Sequence, residues 1–242
     1  MVNIDTVYQR VLILANKEQR GYITPQEFNL YANQAQMEIF EQYFYDLNQA
    51  HRDLGNDTTY ADVDDMIEEK LQIFENEDDA TSYTQLSTNF GGGKVLPDDI
   101  YRVIRIEANN KDCDILSTKD FKDIQNAGYL IRPTSARPVA NIRSNTFNDS
   151  TSVRVVRVLP SHHSVSSICY YKKPRKVSWG YFVLNTKALY DSALAVDFEL
   201  HASEETELVY KILKLAGLGM RRDDIAKGGQ GLESMQVQQE KQ

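Results

Sequence analysis

Apolar residues near the N-terminus recur with the three-to-four-residue period of a helix. Residues 4–16 place Val7 and Val11 on one stripe, and Gly21 marks the end of the segment. Farther along, "DVDDMIEEKLQIF" (62–74) repeats the pattern, with acidic residues in the first turn, where the positive end of the helix dipole favours them. The sequence therefore predicts two amphipathic helices, each burying one face.

A helix between these two carries apolar residues on more than one side. Thr24 and Glu27 form a capping box around Pro25, which specifies where this helix begins. Its apolar positions occupy several faces as far as Ala50, and residues 21–50 contain no Lys or Arg. Such a helix is either central to a large domain or shared between its own core and a neighbouring chain. On the second interpretation, four aromatic residues belong to a subunit interface: Phe40, Tyr43, Phe44 and Tyr45.

From Tyr83 the pattern becomes that of β-strands. The clearest strands are "TSVRVVRVLP" (151–160) and "SVSSICYYKKP" (164–174), each about ten residues long. No helix of sufficient length separates most of the strands, so the sheet is expected to be antiparallel, as a compact barrel or sandwich. The chain then returns to helix, with Ser203 as a predicted cap and Gly217 as a predicted stop.

This order of elements predicts the α+β class, in which N- and C-terminal helices form a helical domain with an inserted antiparallel β barrel or sandwich module. The predicted parts are 1–80 (first part of the helical domain), 81–186 (inserted β-rich module), 187–227 (returning helix) and 228–242 (extended C-terminal arm). The polar arm holds three apolar residues that we expect to dock on a partner: Leu232, Met235 and Val237.

The composition adds that the chain is an ordinary globular protein. Hydrophobic residues make up 41% and charged residues 26% of its 242 residues, close to globular averages. No run of 18 apolar residues and no basic leader is present, so we expect a soluble protein that is neither membrane-bound nor secreted. Two cysteines, Cys113 and Cys169, are too few for a disulfide framework and are predicted to be free thiols.

The net charge of −8 conceals two blocks of opposite sign. Residues 53–79 hold eleven acids against one Lys, whereas residues 102–176 hold fourteen Lys and Arg against six acids. Such blocks are either solvated surface or complementary faces that steer the association of copies. The candidate residues for a charge-complementary or lumen-facing surface are Asp64, Asp65, Glu68, Glu69, Arg154, Arg157, Lys172, Lys173, Arg175 and Lys176.

The sequence contains no convincing catalytic motif. "GGGKV" lacks the Ser or Thr and the following helix of a phosphate-binding loop. His162 and His163 are adjacent, without the spacing of zinc ligands, and no nucleophile elbow is present. We therefore predict a protein that is not an enzyme and has no cofactor, metal site or catalytic residue.

Cations and aromatic residues alternate in "CYYKKPRKVSW" (169–179), as on a surface that binds single-stranded nucleic acid. The isoelectric point of about 5.1 and the neighbouring acidic block argue against an isolated DNA-binding domain. A protein–protein contact, sequence-independent nucleic-acid binding and plain solvated surface all remain open for this stretch.

Both ends of the chain resemble virion proteins. "NIDTVYQRVLILANKEQRGYITPQEFNLYANQAQMEIFEQYFYDLNQ" and "AVDFELHASEETELVYKILKLAGLGMRRDDIAKGGQ" resemble the terminal segments of structural proteins from short-tailed phages, including the crAss-like group, and cover about a third of the chain. The order of helices, inserted β-module, returning helix and tail is similar to that of head-to-tail adaptors, also called ring, neck or tail tubular proteins. The acidic segment 53–79 has no place in that family pattern.

The resemblance implies a structural protein of the neck or tail of a bacteriophage virion, made and assembled in the bacterial cytoplasm. It implies a homo-oligomeric ring of roughly twelve copies that contacts the portal protein and other neck or tail rings, with genomic DNA passing through the lumen. It carries over no catalytic residue. The alternatives are a peripheral tail or baseplate component that binds a fibre or receptor, and a DNA-binding packaging protein.

Overall fold

The computed structural model describes residues 1–15, 23–52, 59–80, 83–86, 93–126, 128, 132–147, 151–161, 164–185, 187–219 and 223–240, with side chains except at 50–64, 86, 145–151, 218–226 and 236–240. The helices are α1 (Ile4–Ala15), α2 (Pro25–Arg52), α3 (Thr59–Gln72), α4 (Thr118–Asn126), α5 (Glu205–Gly219) and α6 (Asp223–Glu240). The strands are β1 (Glu75–Asp79), β2 (Gln85–Leu86), β3 (Gly93–Val95), β4 (Ile100–Ala108), β5 (Lys111–Asp112), β6 (Asp114–Ile115), β7 (Val139–Phe147), β8 (Thr151–Leu159), β9 (Val165–Lys172), β10 (Tyr181–Leu184) and β11 (Lys187–Tyr190). A 3₁₀ turn, Ala202–Glu204, precedes α5. The α+β class is confirmed.

The chain divides into two compact units. Unit 1 comprises Met1–Ile73 and Pro174–Gln242, and unit 2 comprises Phe74–Lys173. The boundaries predicted from the sequence, after residues 80 and 186, are therefore wrong, because β1 belongs to unit 2 and the segment 174–186 belongs to unit 1.

Polar side chains on α2 explain why the segment 174–186 belongs to unit 1. Asn33 makes two hydrogen bonds to the backbone of Val177: its amide group donates to the carbonyl at 2.8 Å, and its oxygen accepts from the N–H at 2.9 Å. Gln36 is buried and donates to the carbonyl of Arg175 at 2.8 Å. These contacts between residues about 140 positions apart leave no trace in hydrophobic periodicity.

Unit 2 contains two sheets that share one core. Strand order is β1-β9-β4-β5 in the first sheet and β2-β3-β8-β7-β6 in the second. All pairs are antiparallel except β6 with β7. Buried residues from both sheets form one hydrophobic cluster, including Ile106, Ile168, Tyr170, Ala140 and Val156. Within the described ranges the strands close no barrel, so that form of the expectation is not met.

Unit 1 is built around α2. Its predicted capping box is confirmed, because the Thr24 N–H donates to Glu27 Oε2 at 3.0 Å and the Glu27 N–H donates to Thr24 Oγ1 at 3.3 Å. Hydrogen bonds from the Thr24 backbone and side chain also hold the pKa of Glu27 below its ordinary value. Phe28 and Ile39 of α2, Val11 of α1 and Ile212 of α5 are all buried, and α5 contacts both α1 and α2.

Three expectations for the C-terminal part were wrong. Residues 228–242 were expected to be an extended arm, but α6 is helical to Glu240 and packs on α5. Glu233 of α6 forms ion pairs with Lys211 and Lys214 of α5, and the polar composition of the segment does not reveal these pairs. Gly217 does not stop α5, which continues to Gly219. The cap of the preceding turn is not the predicted Ser203 but His201, whose side chain accepts a hydrogen bond from the Ser203 N–H.

Candidate functional site

A β-hairpin formed by β10 and β11 presents apolar side chains to solvent. The strands pair antiparallel, with Tyr181 opposite Tyr190 and Leu184 opposite Lys187. Exposed fractions on the hairpin are 49% for Phe182, 65% for Val183, 55% for Leu184 and 41% for Leu189. Because neighbouring residues of a strand point to opposite faces, both faces of the hairpin are apolar. We call Tyr181–Leu184 together with Lys187–Tyr190 the apolar hairpin.

The base of the apolar hairpin is fixed by aromatic contacts within unit 1. The Trp179 ring lies 5.8 Å from that of Tyr181, 5.7 Å from that of Tyr190 and 4.3 Å from that of Tyr8 on α1. Trp179 Nε1 also donates to Asp5 Oδ1 at 2.9 Å. The exposed end therefore projects from an anchored base.

The exposed surface of the apolar hairpin is large enough to contribute to binding. Complete burial of a Val, Leu or Phe side chain is worth about 1.5–3 kcal/mol, so covering four half-exposed ones would contribute on the order of 4 kcal/mol before ordering costs. Within the described residues, β10 and β11 pair only with each other, so their outer edges also offer backbone groups to another strand. A contiguous apolar surface of this kind is typical of an interaction site.

A second feature of unit 1 is a set of buried ion pairs, which we call the charge cluster. Lys70 on α3 lies 2.6 Å from Glu204, and Lys211 on α5 lies 3.3 Å from Glu207. Glu233 on α6 contacts two lysines of α5, Lys211 at 2.8 Å and Lys214 at 2.9 Å. The cluster borders a cavity of about 210 Å³ that is also lined by Ile39, Gln42, Tyr43, Asp46 and Ile67.

Two of the three glutamates in the charge cluster, Glu207 and Glu233, have pKa values shifted in opposite directions. Burial, with a further contribution from Glu204, raises the pKa of Glu207 to about 7, although Lys211 opposes the rise. Burial alone would lower the pKa of Lys211, but Glu233 and Glu207 together raise it. Burial also opposes ionisation of Glu233, yet the two lysines bring its pKa below the ordinary value. Since Lys211 lies closer to Glu233 than to Glu207, we assign the firm ion pair to Glu233.

The side chains of the charge cluster are engaged in ion pairs with one another. Lys211 remains protonated at neutral pH and is therefore no general base. Within the part of the chain that the structure describes, no three His, Cys, Asp or Glu side chains are placed to hold a metal ion. The cluster ties α3, α5 and α6 together.

Three of the four aromatic residues predicted at a subunit interface are core residues. Phe40, Tyr43 and Phe44 are 0%, 5% and 7% exposed, and the rings of Phe40 and Phe44 pack edge to face at 5.1 Å. The alternative of a central core helix is the correct one for them, because they point into unit 1. Tyr45 is 62% exposed.

The predicted docking residues of the C-terminal segment lie on α6. Leu232 and Met235 are 42% and 61% exposed. The Val237 side chain is outside the described residues.

The predicted acidic residues lie on α3. Asp65, Glu68 and Glu69 are exposed, and the Asp64 side chain is outside the described residues.

The predicted basic residues differ in their surroundings. Arg154 donates to the backbone carbonyls of Ile100 and Tyr101, and burial followed by the charge of Arg143 lowers the pKa of Arg157. These two arginines are therefore partly structural. Of the other four, Lys172 is half-buried and Lys176 is exposed. Lys173 Nζ donates to the Asp98 carbonyl at 3.1 Å. Arg175 pairs with buried Glu199 at 2.6 Å.

Lys94 in "GGGKV" is an internal residue of unit 2. It is 8% exposed, and its Nζ donates to the carbonyls of Ala80 at 2.5 Å and Val165 at 3.0 Å. Burial lowers the pKa of Lys94, and Asp79 opposes this. The amine is used inside the fold and does not face a phosphate site.

The two cysteines are free thiols, as predicted. Burial is the main cause that raises the pKa of both Cys113 and Cys169 to about 11, and Glu75 adds to the shift at Cys169. Neither is a thiolate at neutral pH, so neither is an activated nucleophile. His162 and His163 lie outside the described residues.

Sequence reasoning missed both the apolar hairpin and the charge cluster. The hairpin does have a signal: two apolar runs, "YFVL" and "KALY", are separated by the two residues Asn185 and Thr186, and Asn185 has a positive φ of 47°. In the charge cluster the Glu207–Lys211 pair has a signal, the i,i+4 spacing on one helix, whereas the pairs of Glu233 with Lys211 and Lys214 join separate helices and have none.

The comparisons with known proteins add no family. No protein-family model and no curated protein sequence matches the chain. Among the described helices, none combines the length and the apolar character needed to span a bilayer.

Proposed function

We propose that this chain is a virion structural protein of a short-tailed phage, a head-to-tail adaptor or ring subunit that connects the portal to the tail and surrounds the DNA passage. The apolar hairpin is the observation that carries this proposal, together with the resemblance of both terminal segments. Its exposed side chains stand on an anchored base, so they offer a fixed surface to another molecule.

A closed ring needs heterologous contacts, in which one surface of each copy meets a different surface of the next. A projecting hairpin that is apolar on both faces supports a contact of this type, because insertion between neighbouring surfaces covers both faces at once. We therefore assign the main subunit contact to the apolar hairpin and not to Phe40, Tyr43 and Phe44. The proposed partners are further copies of the chain, the portal and adjacent neck or tail rings.

The exposed acids of α3 support the proposed DNA passage. Asp65, Glu68 and Glu69 all face solvent. A wall of carboxylates repels phosphates and so removes the contacts that would retain DNA. Charge reversal at these positions is expected to slow DNA release while leaving ring formation intact, which a DNA-ejection assay on variant particles measures.

Sedimentation velocity of the purified chain, alone and with the portal of the same phage, tests the proposed contact. The double variant Phe182→Ser/Leu184→Ser removes apolar surface from one hairpin face, and Leu30→Ser/Met66→Ser is the matched control, since Leu30 and Met66 are 71% and 60% exposed on other elements. Wild type and control are expected to form large assemblies, and the hairpin variant to remain monomeric. Equal assembly of all three, or a monomeric wild type in the presence of the portal, would contradict the proposal.

A further inference from the structure

The described side chains of helix α6 give it little hydrophobic anchoring on unit 1. Between residues 227 and 235, where its side chains are described, the one buried residue is Gly229, and the largest apolar side chains are exposed. The helix also contains Gly228 and Gly231, and each glycine in a helix interior reduces the helix equilibrium roughly fivefold relative to alanine. An isolated helix of this composition would not be stable, so its contacts with α5 must supply the stability.

The described contacts of α6 with α5 are ion pairs and a close approach of the two helix backbones. One carboxylate, that of Glu233, bonds both Lys211 and Lys214, and all three side chains are largely removed from solvent, with exposed fractions of 15%, 10% and 34%. Four residues earlier, a Cβ placed on Gly229 would lie 2.9 Å from the Lys214 backbone nitrogen. Residues 229–233 of α6 therefore carry both the ion pairs of Glu233 and a close backbone approach to α5.

The same part of α6 forms a wall of the cavity bordered by the charge cluster. Glu233 lines it together with Lys70 of α3, Glu207 and Lys211 of α5, and residues of α2. Loss of the Glu233 contacts therefore removes the ion pairs that hold this part of α6 and opens the cavity on that side. The buried apolar side chains that are described in unit 1 lie outside α6, for example on α1, α2 and α5 and at Trp179 and Phe198, so this core does not depend on α6.

We propose that α6 is a strap held on α5 by charge, which detaches as a unit when the pairs of Glu233 with Lys211 and Lys214 are lost, while the rest of unit 1 stays folded. Detachment uncovers two lysines on α5 and opens the cavity. This inference is drawn from unit 1 alone and does not depend on the proposed ring function.

Hydrogen exchange measured by mass spectrometry on the full chain tests the strap. Glu233→Gln is expected to raise amide exchange in α6 at least about tenfold, the equivalent of losing one charge-assisted contact, and to leave α2 unchanged. Lys227→Gln is the matched control, because it removes a charge from an exposed position of the same helix. Raising the salt concentration from about 0.05 M to about 0.5 M should speed exchange of α6 in the wild type more than in Glu233→Gln.

Two glycine variants give a second test, because they are expected to change amide exchange in α6 in opposite directions. Gly231→Ala meets no atom within 4 Å, so the gain in helix propensity should slow exchange in α6. Gly229→Ala brings the same gain but collides with the Lys214 backbone, so it should speed exchange in α6. Unchanged α6 exchange in Glu233→Gln, equal acceleration in α2 and α6, or the same response to both glycine variants would overturn the proposal.

Discussion

Helices α2 and α6 belong to the same unit but are stabilised by different forces. On α2, Phe28, Ala32, Ala35 and Phe40 are completely buried, and polar side chains of the same helix bond the backbone of another segment. On α6, within 227–235, a glycine is buried and one glutamate supplies the attachment. Helicity alone therefore does not tell which element forms the core and which can leave it.

The largest expected effect comes from removing a core ring of α2. Phe40→Ala should destabilise the chain by about 3–5 kcal/mol, because a fully buried phenyl group leaves a cavity behind. Tyr45→Ala, one turn away at an exposed position, should change stability by less than about 0.5 kcal/mol. Urea unfolding followed by circular dichroism measures both. A small loss of stability in Phe40→Ala accompanied by loss of assembly would restore the interface interpretation of the α2 aromatics.

A smaller loss of stability is expected when a side-chain hydrogen bond of α2 is removed. Asn33→Ala leaves the N–H and the carbonyl of Val177 without their side-chain partner, which should cost about 1–3 kcal/mol. Gln34→Ala is the control, because Gln34 is exposed and bonds Glu38 on the same helix. The same urea experiment distinguishes them, and equal small effects would show that the segment 174–186 is held in unit 1 by other contacts.

Glu207 makes stability depend on pH. Its pKa is raised from about 4.5 in the unfolded chain to about 7 in the folded chain, so the folded state binds the proton more tightly. The resulting stabilisation is complete below the unfolded pKa and is lost as pH rises through about 7. The groups that face it are Lys211, Glu204, Lys70 of α3, Glu233 of α6 and Asp46 of α2.

Glu207→Gln should remove this dependence, because the amide mimics the protonated acid. Between about pH 5 and pH 8 the wild type is expected to lose on the order of 1–2 kcal/mol more than the variant. Thermal unfolding across this range provides the measurement. Parallel pH profiles of the two proteins would show that Glu207 does not titrate in the folded state.

The smallest effect is expected on the outer face of α6. Leu232→Ser should change stability by less than about 0.5 kcal/mol, since the side chain is 42% exposed and contributes little to the core. Ile212→Ser on α5, where the side chain is completely buried, is the contrasting variant and should cost several kcal/mol. A loss above about 1 kcal/mol in Leu232→Ser would mean that α6 is held by apolar contacts after all.

The parts of the fold that follow from local pattern could be predicted from the sequence. The capping box at Thr24 and the valine-rich strand β8 are examples, because capping chemistry and strand propensity act between near neighbours. Strand β1 was missed because its acidic residues lack apolar alternation, although Asp78 accepts a hydrogen bond from the Tyr170 hydroxyl at 2.8 Å.

The candidate sites were less predictable than the fold. Whether Phe40 faces the core or a partner depends on what surrounds α2, and a helix that is apolar on several sides is compatible with either. The attachment of α6 depends on Glu233 meeting Lys211 across 22 positions of sequence. The apolar hairpin was visible as two apolar runs around a two-residue turn, but exposure of those runs is a property of the tertiary structure.

Electron microscopy of the purified wild-type chain, imaged in negative stain alone and with the portal of the same phage, determines whether the chain forms a ring. We predict closed rings with a central opening, built from repeated copies that contact their neighbours through the apolar hairpin. Compact single particles of 27.7 kDa at every concentration and with the portal present, or subunits scattered on the outside of the tail without a ring, would contradict it.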